Sequence, residues 1–266
     1  SGRGKSVVVL GAGIARLVAA YELDRAGYAV TVLEARDRVG GRVWTVRGGD
    51  RIVQSGRADQ RATFDPWLYF NAGAARIPAT HRVILGYARR FGVKMETFVN
   101  DNRGAGWDFA GQVRSERRMV YDLHGRISEL LAKAMDQKAL DVEMPAGEQE
   151  AFRQFLQFYG FLDDKGRYSQ ASFASGFATE PGGYAQAPTQ LPALTLKELL
   201  PNQAIGFPYV FQSINDMQPA MLQPVGGMDA IPKAIYAQVE RNVRLNSPVS
   251  AIRRFGNRVR IEHGPG

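Results

Sequence analysis

The sequence predicts an α/β protein organised on a doubly wound parallel sheet, and three observations in its first 34 residues predict it. The β-branched run "SVVVL" is bounded by Lys5 and Gly11 and has the character of a buried parallel strand. A helical pattern follows from Ile14 to Arg25, with Ala19, Ala20 and Leu23 as good helix formers and Gly27 as a stop. "YAVTVLEA" then repeats the strand pattern and ends at Glu34.

The turn between strand and helix is Gly11-Ala12-Gly13-Ile14-Ala15-Arg16. Gly11 permits the tight turn, and Gly13 lets backbone N–H groups at the helix N-terminus approach a pyrophosphate. Glu34 closes the second strand, where a carboxylate can accept both hydroxyls of a ribose. A glycine-rich turn alone is weak evidence and fits an ordinary βαβ connection. Strand, turn, helix, strand and acid in this order point to a Rossmann-like nucleotide site. Arg16 departs from the pattern, because a small third residue normally lets the helix sit close to the strand. An arginine there is expected to snorkel outward or to push the helix away. Crowding of that kind costs about 1–3 kcal/mol, enough to weaken nucleotide binding around ten- to a hundredfold.

"EARDRVGGRVWTVR" continues from Glu34. Gly40 and Gly41 offer a second close backbone approach, and Arg42 can pair with a phosphate. A simple nicotinamide dehydrogenase has no need of this second glycine pair. With "LEARDRVGGR", the chain resembles the flavin-containing amine oxidase superfamily. "FNAGAARIP", "HRVILGYARRFGV" and "QPVGGMDAIPKAI" extend the likeness to the L-amino acid oxidase branch, including bacterial enzymes of the chlorotryptophan and glutamate oxidase type.

The resemblance implies FAD as cofactor and a set of site residues. Ile14 and Ala15 would contact the pyrophosphate beside Gly11 and Gly13. Glu34 would hold the adenosine ribose, flanked by Ala35 and Arg36, and Arg42 would neutralise phosphate. Gly73, Ala74, Ala75 and Arg76 would line the flavin ring, and Val249 would touch the adenine side through its backbone. Arg76 would also hold the substrate. An α-amino acid must be gripped by its carboxylate so that its Cα–H faces the flavin, and a planar guanidinium can do this bidentately. The implied reaction is oxidative deamination of an L-amino acid with O2, giving a 2-oxo acid, ammonia and hydrogen peroxide. Retention of Arg76 argues against a polyamine or monoamine oxidase, which needs no carboxylate clamp. A non-catalytic nucleotide-binding or assembly subunit, with Arg16 as the sign of decay, is the alternative from another class.

Later segments carry less chemistry. His81–Phe91 is expected to be an amphipathic helix with Ile84, Tyr87, Ala88 and Phe91 inward. Two further helices are expected, with core faces of Ile127, Leu130, Leu131 and Ala134 and of Phe152, Phe155, Leu156 and Tyr159. "EPGGYAQAPTQLP" reads as a long loop. Gly226–Val239 returns to helix, and the alternation after Val243 gives strands joined by a turn at Phe255-Gly256-Asn257. The expected organisation is an FAD-binding domain over 1–60 and 223–266, a substrate-binding part over 61–118, and a helical insertion over 119–222.

Composition narrows the function classes. The 266 residues carry a net charge of +8, but no basic run reaches five residues, so a solvated surface is expected rather than a nucleic-acid site. No apolar run is long enough for a membrane helix. There is no cysteine for disulfide or thiolate chemistry, and three scattered histidines make a metal site unexpected. Family members continue well beyond the length seen here. The chain is therefore expected to be an N-terminal portion whose open sheet is completed by a second chain, and oligomers are expected.

Overall fold

The computed structural model describes residues 2–264 apart from 110, 143, 169–175, 202, 212 and 257. They form two compact units, one of Ser1–Asn100 with Pro219–Gly266 and one of Asp101–Gln218.

In the first unit, β1 (Ser6–Leu10), α1 (Ile14–Arg25) and β2 (Ala29–Leu33) make the expected βαβ unit. The two strands run parallel, in register from Ser6 opposite Ala29 to Leu10 opposite Leu33. Helix α1 ends at Ala26, and Gly27 takes a φ of 89°, a left-handed conformation that glycine adopts without a Cβ penalty. The next elements are β3 (Thr45–Arg47), β4 (Arg51–Ile52), β5 (Gln60–Arg61), β6 (Tyr69–Asn71), β7 (Ile77–Pro78), α2 (Arg82–Arg90) and β8 (Met95–Phe98). Strands β3 and β6 pair antiparallel, Thr45 opposite Asn71, as do β4 and β5.

The second unit begins with β9 (Gly106–Phe109) and β10 (Gln112–Ser115), an antiparallel pair that leads into α3 (Glu116–Asp136). Ser115 caps α3 by accepting the Arg118 N–H. Helix α4 (Ala146–Gly160) packs against α3, and β11 (Phe177–Thr179) pairs antiparallel with β12 (Thr189–Gln190). The segment expected to be a long loop is thus closed at its base by a short ladder. Helices α5 (Leu196–Leu199) and α6 (Gly206–Phe211) complete the unit.

The chain then re-enters the first unit through β13 (Met221–Pro224), which lies between β7 and β8, and α7 (Ala230–Val239). Strand β14 (Val243–Arg244) joins the parallel sheet beside β2, giving the order β1-β2-β14. The parallel sheet is therefore assembled from two distant stretches of chain. Helices α1 and α7 pack together, and Leu17, Ala20, Ile231, Ile235 and Val239 join Val30 and Val32 in one core. Each such buried aliphatic side chain contributes about 1.5–3 kcal/mol. Strands β15 (Val249–Phe255) and β16 (Arg258–His263) form a hairpin apart from the parallel sheet. Of its expected turn, Gly256 has a φ of 55°, and Asn257 lies outside the described residues.

The expected inward face of α3 is corrected. Ile127, Leu130 and Leu131 are 42%, 49% and 36% exposed, whereas Met119, Val120, Leu123, Ala132 and Met135 are buried. In α4, Leu156 is buried but Phe155 and Tyr159 are exposed. The buried face of α3 includes charged residues whose charges are satisfied. Asp122 accepts the Tyr168 O–H and the Leu194 N–H, each at 2.8 Å, and Glu129 accepts from Arg126 at 2.9 Å and Lys133 at 2.7 Å. Gly125 completes this face, because a Cβ there would collide with the Tyr168 ring. A periodicity count that scores carboxylates as surface residues selects the wrong side of such a helix.

Candidate nucleotide site

The site is built around the turn after β1. Gly11 has a φ of 94°, and its N–H donates to the Leu33 carbonyl at 2.6 Å, fixing the turn against the end of β2. Gly13 is the N-cap of α1 and has no side chain to cap it, so no side chain competes with a ligand for the start of the helix. Glu34 is buried, and its carboxylate accepts the Ala12 N–H at 2.6 Å and the Arg36 N–H at 2.9 Å. A carboxylate has about four lone-pair sites, so acceptor capacity remains for hydroxyl groups.

The second glycine pair packs on this same turn. The Gly40 N–H donates to the Ala12 carbonyl at 2.8 Å, and Gly13 and Gly40 form an isolated parallel bridge. Gly40 and Gly41 have φ values of 97° and 60°. A Cβ on Gly41 would stand 3.3 Å from Gly13 Cα, so the two turns meet backbone to backbone. Arg42 follows, exposed. Pairing of β3 with β6 brings the "GAAR" segment to the same place: the Ala72 N–H donates to the Trp44 carbonyl at 2.9 Å, and a Cβ on Gly73 would fall on the Arg42 carbonyl.

A cavity of 1270 Å³ adjoins these segments. Of the residues expected from sequence, Arg36, Gly41, Arg42 and Gly73 line it. Arg38, Arg47, Arg51 and Lys233 add positive charge, against Asp37, Asp50 and Asp229. This charge balance suits an anionic ligand. Burial pulls the Arg38 guanidinium below its ordinary range, as does the neighbouring Arg36 charge; Arg38 lies over the Trp44 ring at 4.7 Å.

The remaining expected residues lie outside the cavity lining. Ile14 opens α1 half-buried against the core, and Ala15 and Ala35 are exposed. Ala74 is exposed, and Ala75 and Arg76 are half-buried just before β7. Val249 opens β15, shortly after the Asn246 and Ser247 N–H groups donate to the Arg36 and Glu34 carbonyls at 3.0 and 2.8 Å. Among the described residues, no group of three or more His, Asp or Glu could hold a metal ion, and no helix is long and apolar enough to cross a membrane.

Sequence reasoning missed a polar cluster that supports the cavity wall. Arg47 makes two hydrogen bonds of 2.9 Å to the Asp229 carboxylate and a third of 2.7 Å to the Gly226 carbonyl. Lys233 Nζ lies 2.6 Å from the same carboxylate. The Asp229 N–H donates to Thr45 Oγ1 at 3.0 Å, and Thr45 donates to Asn71 Oδ1 at 2.9 Å. Burial opposes charge on Asp229, but hydrogen bonds from Arg47 and Lys233 outweigh it and hold the carboxyl below its usual range. The same pairing raises the Arg47 pKa. These partners lie 182 residues apart in the sequence, so no local spacing links them.

A family-wide sequence profile, flavin containing amine oxidoreductase, matches residues 14–266. The chain belongs to that family, and membership brings FAD as its cofactor. An L-amino-acid oxidase of Demansia vestigiata is 28% identical over 97% of this chain and 47% of its own length. An L-amino acid oxidase of Crotalus durissus cumanensis is 29% identical over 91% of this chain and 45% of its own. The chain thus spans about half the length of these curated relatives. A solved candidate protoporphyrinogen oxidase from Exiguobacterium sp. 255-15 superposes with a TM-score of 0.50 at 20% identity, over 99% of this chain and 57% of that one, a likeness of fold. The residues fit a dinucleotide: a glycine turn leading into a helix with no side-chain cap, a carboxylate fixed beside it, and arginines on the adjoining cavity.

Proposed function

We propose that this chain supplies the nucleotide-holding part of an FAD-dependent enzyme that oxidatively deaminates an L-amino acid to a 2-oxo acid, ammonia and hydrogen peroxide. The observation that carries the reading is the match of nearly the whole chain to proteins named L-amino-acid oxidases, together with a glycine turn, Glu34 and Arg42 suited to FAD. When bound, FAD would supply the redox chemistry, a two-electron oxidation of the substrate C–N bond with O2 as the final acceptor.

The chain's own residues hold and orient. Gly11 and Gly13 let the backbone approach the pyrophosphate, toward which the Ile14 and Ala15 N–H groups are directed, with Gly40 and Gly41 holding that turn in shape. Glu34 accepts the ribose hydroxyls, with Ala35 and Arg36 alongside, and Arg42 offsets phosphate charge. Gly73, Ala74 and Ala75 border the flavin ring, and Val249 the adenine. Arg76 grips the substrate carboxylate and so turns the single Cα–H of the L-enantiomer toward the flavin. A further portion of protein, on this chain or a second one, completes the sheet and pocket, and the assembly is an oligomer.

The test of the clamp is Arg76→Leu in the intact protein. Loss of a charge-assisted carboxylate contact is expected to lower kcat/KM for L-amino acids by more than tenfold, with bound FAD retained. Turnover of the matching decarboxylated amine should be unaffected. A fall of less than tenfold for amino acids, or an equal fall for both, would favour an oxidase of simple amines.

A further inference from the structure

Arg16 occupies the one position where the nucleotide turn departs from its expected pattern, and its side chain does neither of the two things expected of it. The helix is not pushed off the sheet: Leu17 and Ala20 fill the contact, and Arg16 is exposed. The side chain curls back over the turn instead. A Cβ on Gly11 would meet Arg16 Cδ at 3.3 Å, Nη1 at 3.4 Å and Nε at 3.5 Å, and a Cβ on Gly13 would meet Nη1 at 3.8 Å. The guanidinium therefore lies directly across the two glycines whose missing side chains leave room for a ligand.

This is an unfavourable place for an unpaired cation. The N-terminus of α1 presents the positive end of the helix dipole, and its first turn has no acidic residue. Among the described residues, no carboxylate pairs with Arg16. An anion at the turn would relieve both the exposed N–H groups and the guanidinium. Arg42 follows Gly41, which packs on Gly13, and lines the adjoining cavity. A pyrophosphate carries two negative charges, and Arg16 places one counter-charge over the turn.

We propose that Arg16 is a cofactor-binding residue that grips the pyrophosphate of FAD, so that the departure strengthens dinucleotide binding. The inference rests on FAD occupying this turn. A guanidinium can bridge two phosphate oxygens at once, and the exposed side chain is free to swing a short way to admit them. Binding that depends on an exposed cation of this kind is screened by salt.

The experiment measures FAD dissociation constants by fluorescence quenching on the intact protein after removal of flavin. Wild type is compared with Arg16→Gln, Arg16→Lys and Arg16→Gly at low and high salt. The proposal expects Arg16→Gln and Arg16→Gly to weaken FAD binding about tenfold or more, with Arg16→Lys recovering part of the loss. It also expects the salt dependence to flatten in Arg16→Gln. ADP used as a competitor should lose affinity in parallel, while adenosine, which lacks phosphate, should not. Equal or tighter FAD binding by Arg16→Gly overturns the role of Arg16 and leaves the FAD site standing. Failure of both wild type and Arg16→Gly to bind FAD removes the site itself, and the proposal with it.

Discussion

The carboxylate of Glu34, at the end of β2, accepts the backbone N–H of Ala12 from the turn after β1 at 2.6 Å. One buried side chain thus joins the two ends of the βαβ unit and shapes the turn before any nucleotide arrives. Replacing Glu34 with alanine leaves the Ala12 and Arg36 N–H groups without their acceptor. The expected loss of stability is about 1–3 kcal/mol, read from denaturant unfolding. Glu34→Gln keeps one acceptor oxygen and should lose less. A Glu34→Ala protein as stable as wild type would show that the contact does not hold the turn.

Gly41 and Gly73 are expected to tolerate no side chain. Gly41 has a φ of 60° and packs on Gly13, and Gly73 packs on the Arg42 carbonyl. Gly73→Ala forces backbone apart and should destabilise the first unit by about 1–3 kcal/mol. Gly41→Ala should instead act mainly on the turn, lowering FAD content more than melting temperature. Unchanged flavin content in Gly41→Ala would contradict the backbone contact.

Asp229 gives a pH dependence with a definite sign. Its carboxyl in the folded protein lies below its ordinary value, because hydrogen bonds from Arg47 and Lys233 outweigh burial. The unfolded value is about 3.9. The stabilisation is therefore present above about pH 4 and is lost as pH falls through the folded value. Arg47 and Lys233 are partly exposed, so solvent screening limits the effect to about 0.2–1 kcal/mol. Asp229→Asn should be less stable than wild type at neutral pH, with the gap closing on acidification. A gap that widens in acid would reverse the assignment.

In the second unit the sensitive position is Asp122, fully buried on α3. Asp122→Ala strands the Tyr168 hydroxyl and the Leu194 N–H, at about 1–3 kcal/mol each. Leu130→Ala on the exposed side should change stability by less than about 0.5 kcal/mol. Chemical denaturation followed by circular dichroism separates the two, and equal losses would restore the face expected from periodicity.

The contrast between these two residues shows how far the sequence could be read. Helix α1 was legible to the residue, because its helix formers, its leading glycines and Gly27 all agree. The glycine turn after β1 was legible because its geometry is local. The inward side of α3 was not, because it buries Asp122 and Glu129, whose partners lie elsewhere in the chain or on the same helix. The Arg47–Asp229 pair was hidden by its separation. The position of Arg16 was visible, but the direction of its side chain depended on packing by Leu17 and Ala20 and on the open space above two glycines.

FAD held where amino acids can reduce it, as we propose for this protein, reports its own redox state through its absorption. The most direct measurement is the visible spectrum of the purified intact protein before and after anaerobic addition of mixed L-amino acids. Flavin absorption that bleaches with amino acids and returns on admission of air is the outcome expected of the proposal. Flavin that stays oxidised with amino acids but bleaches with simple amines, or a protein that takes up no flavin when FAD is supplied, would contradict it.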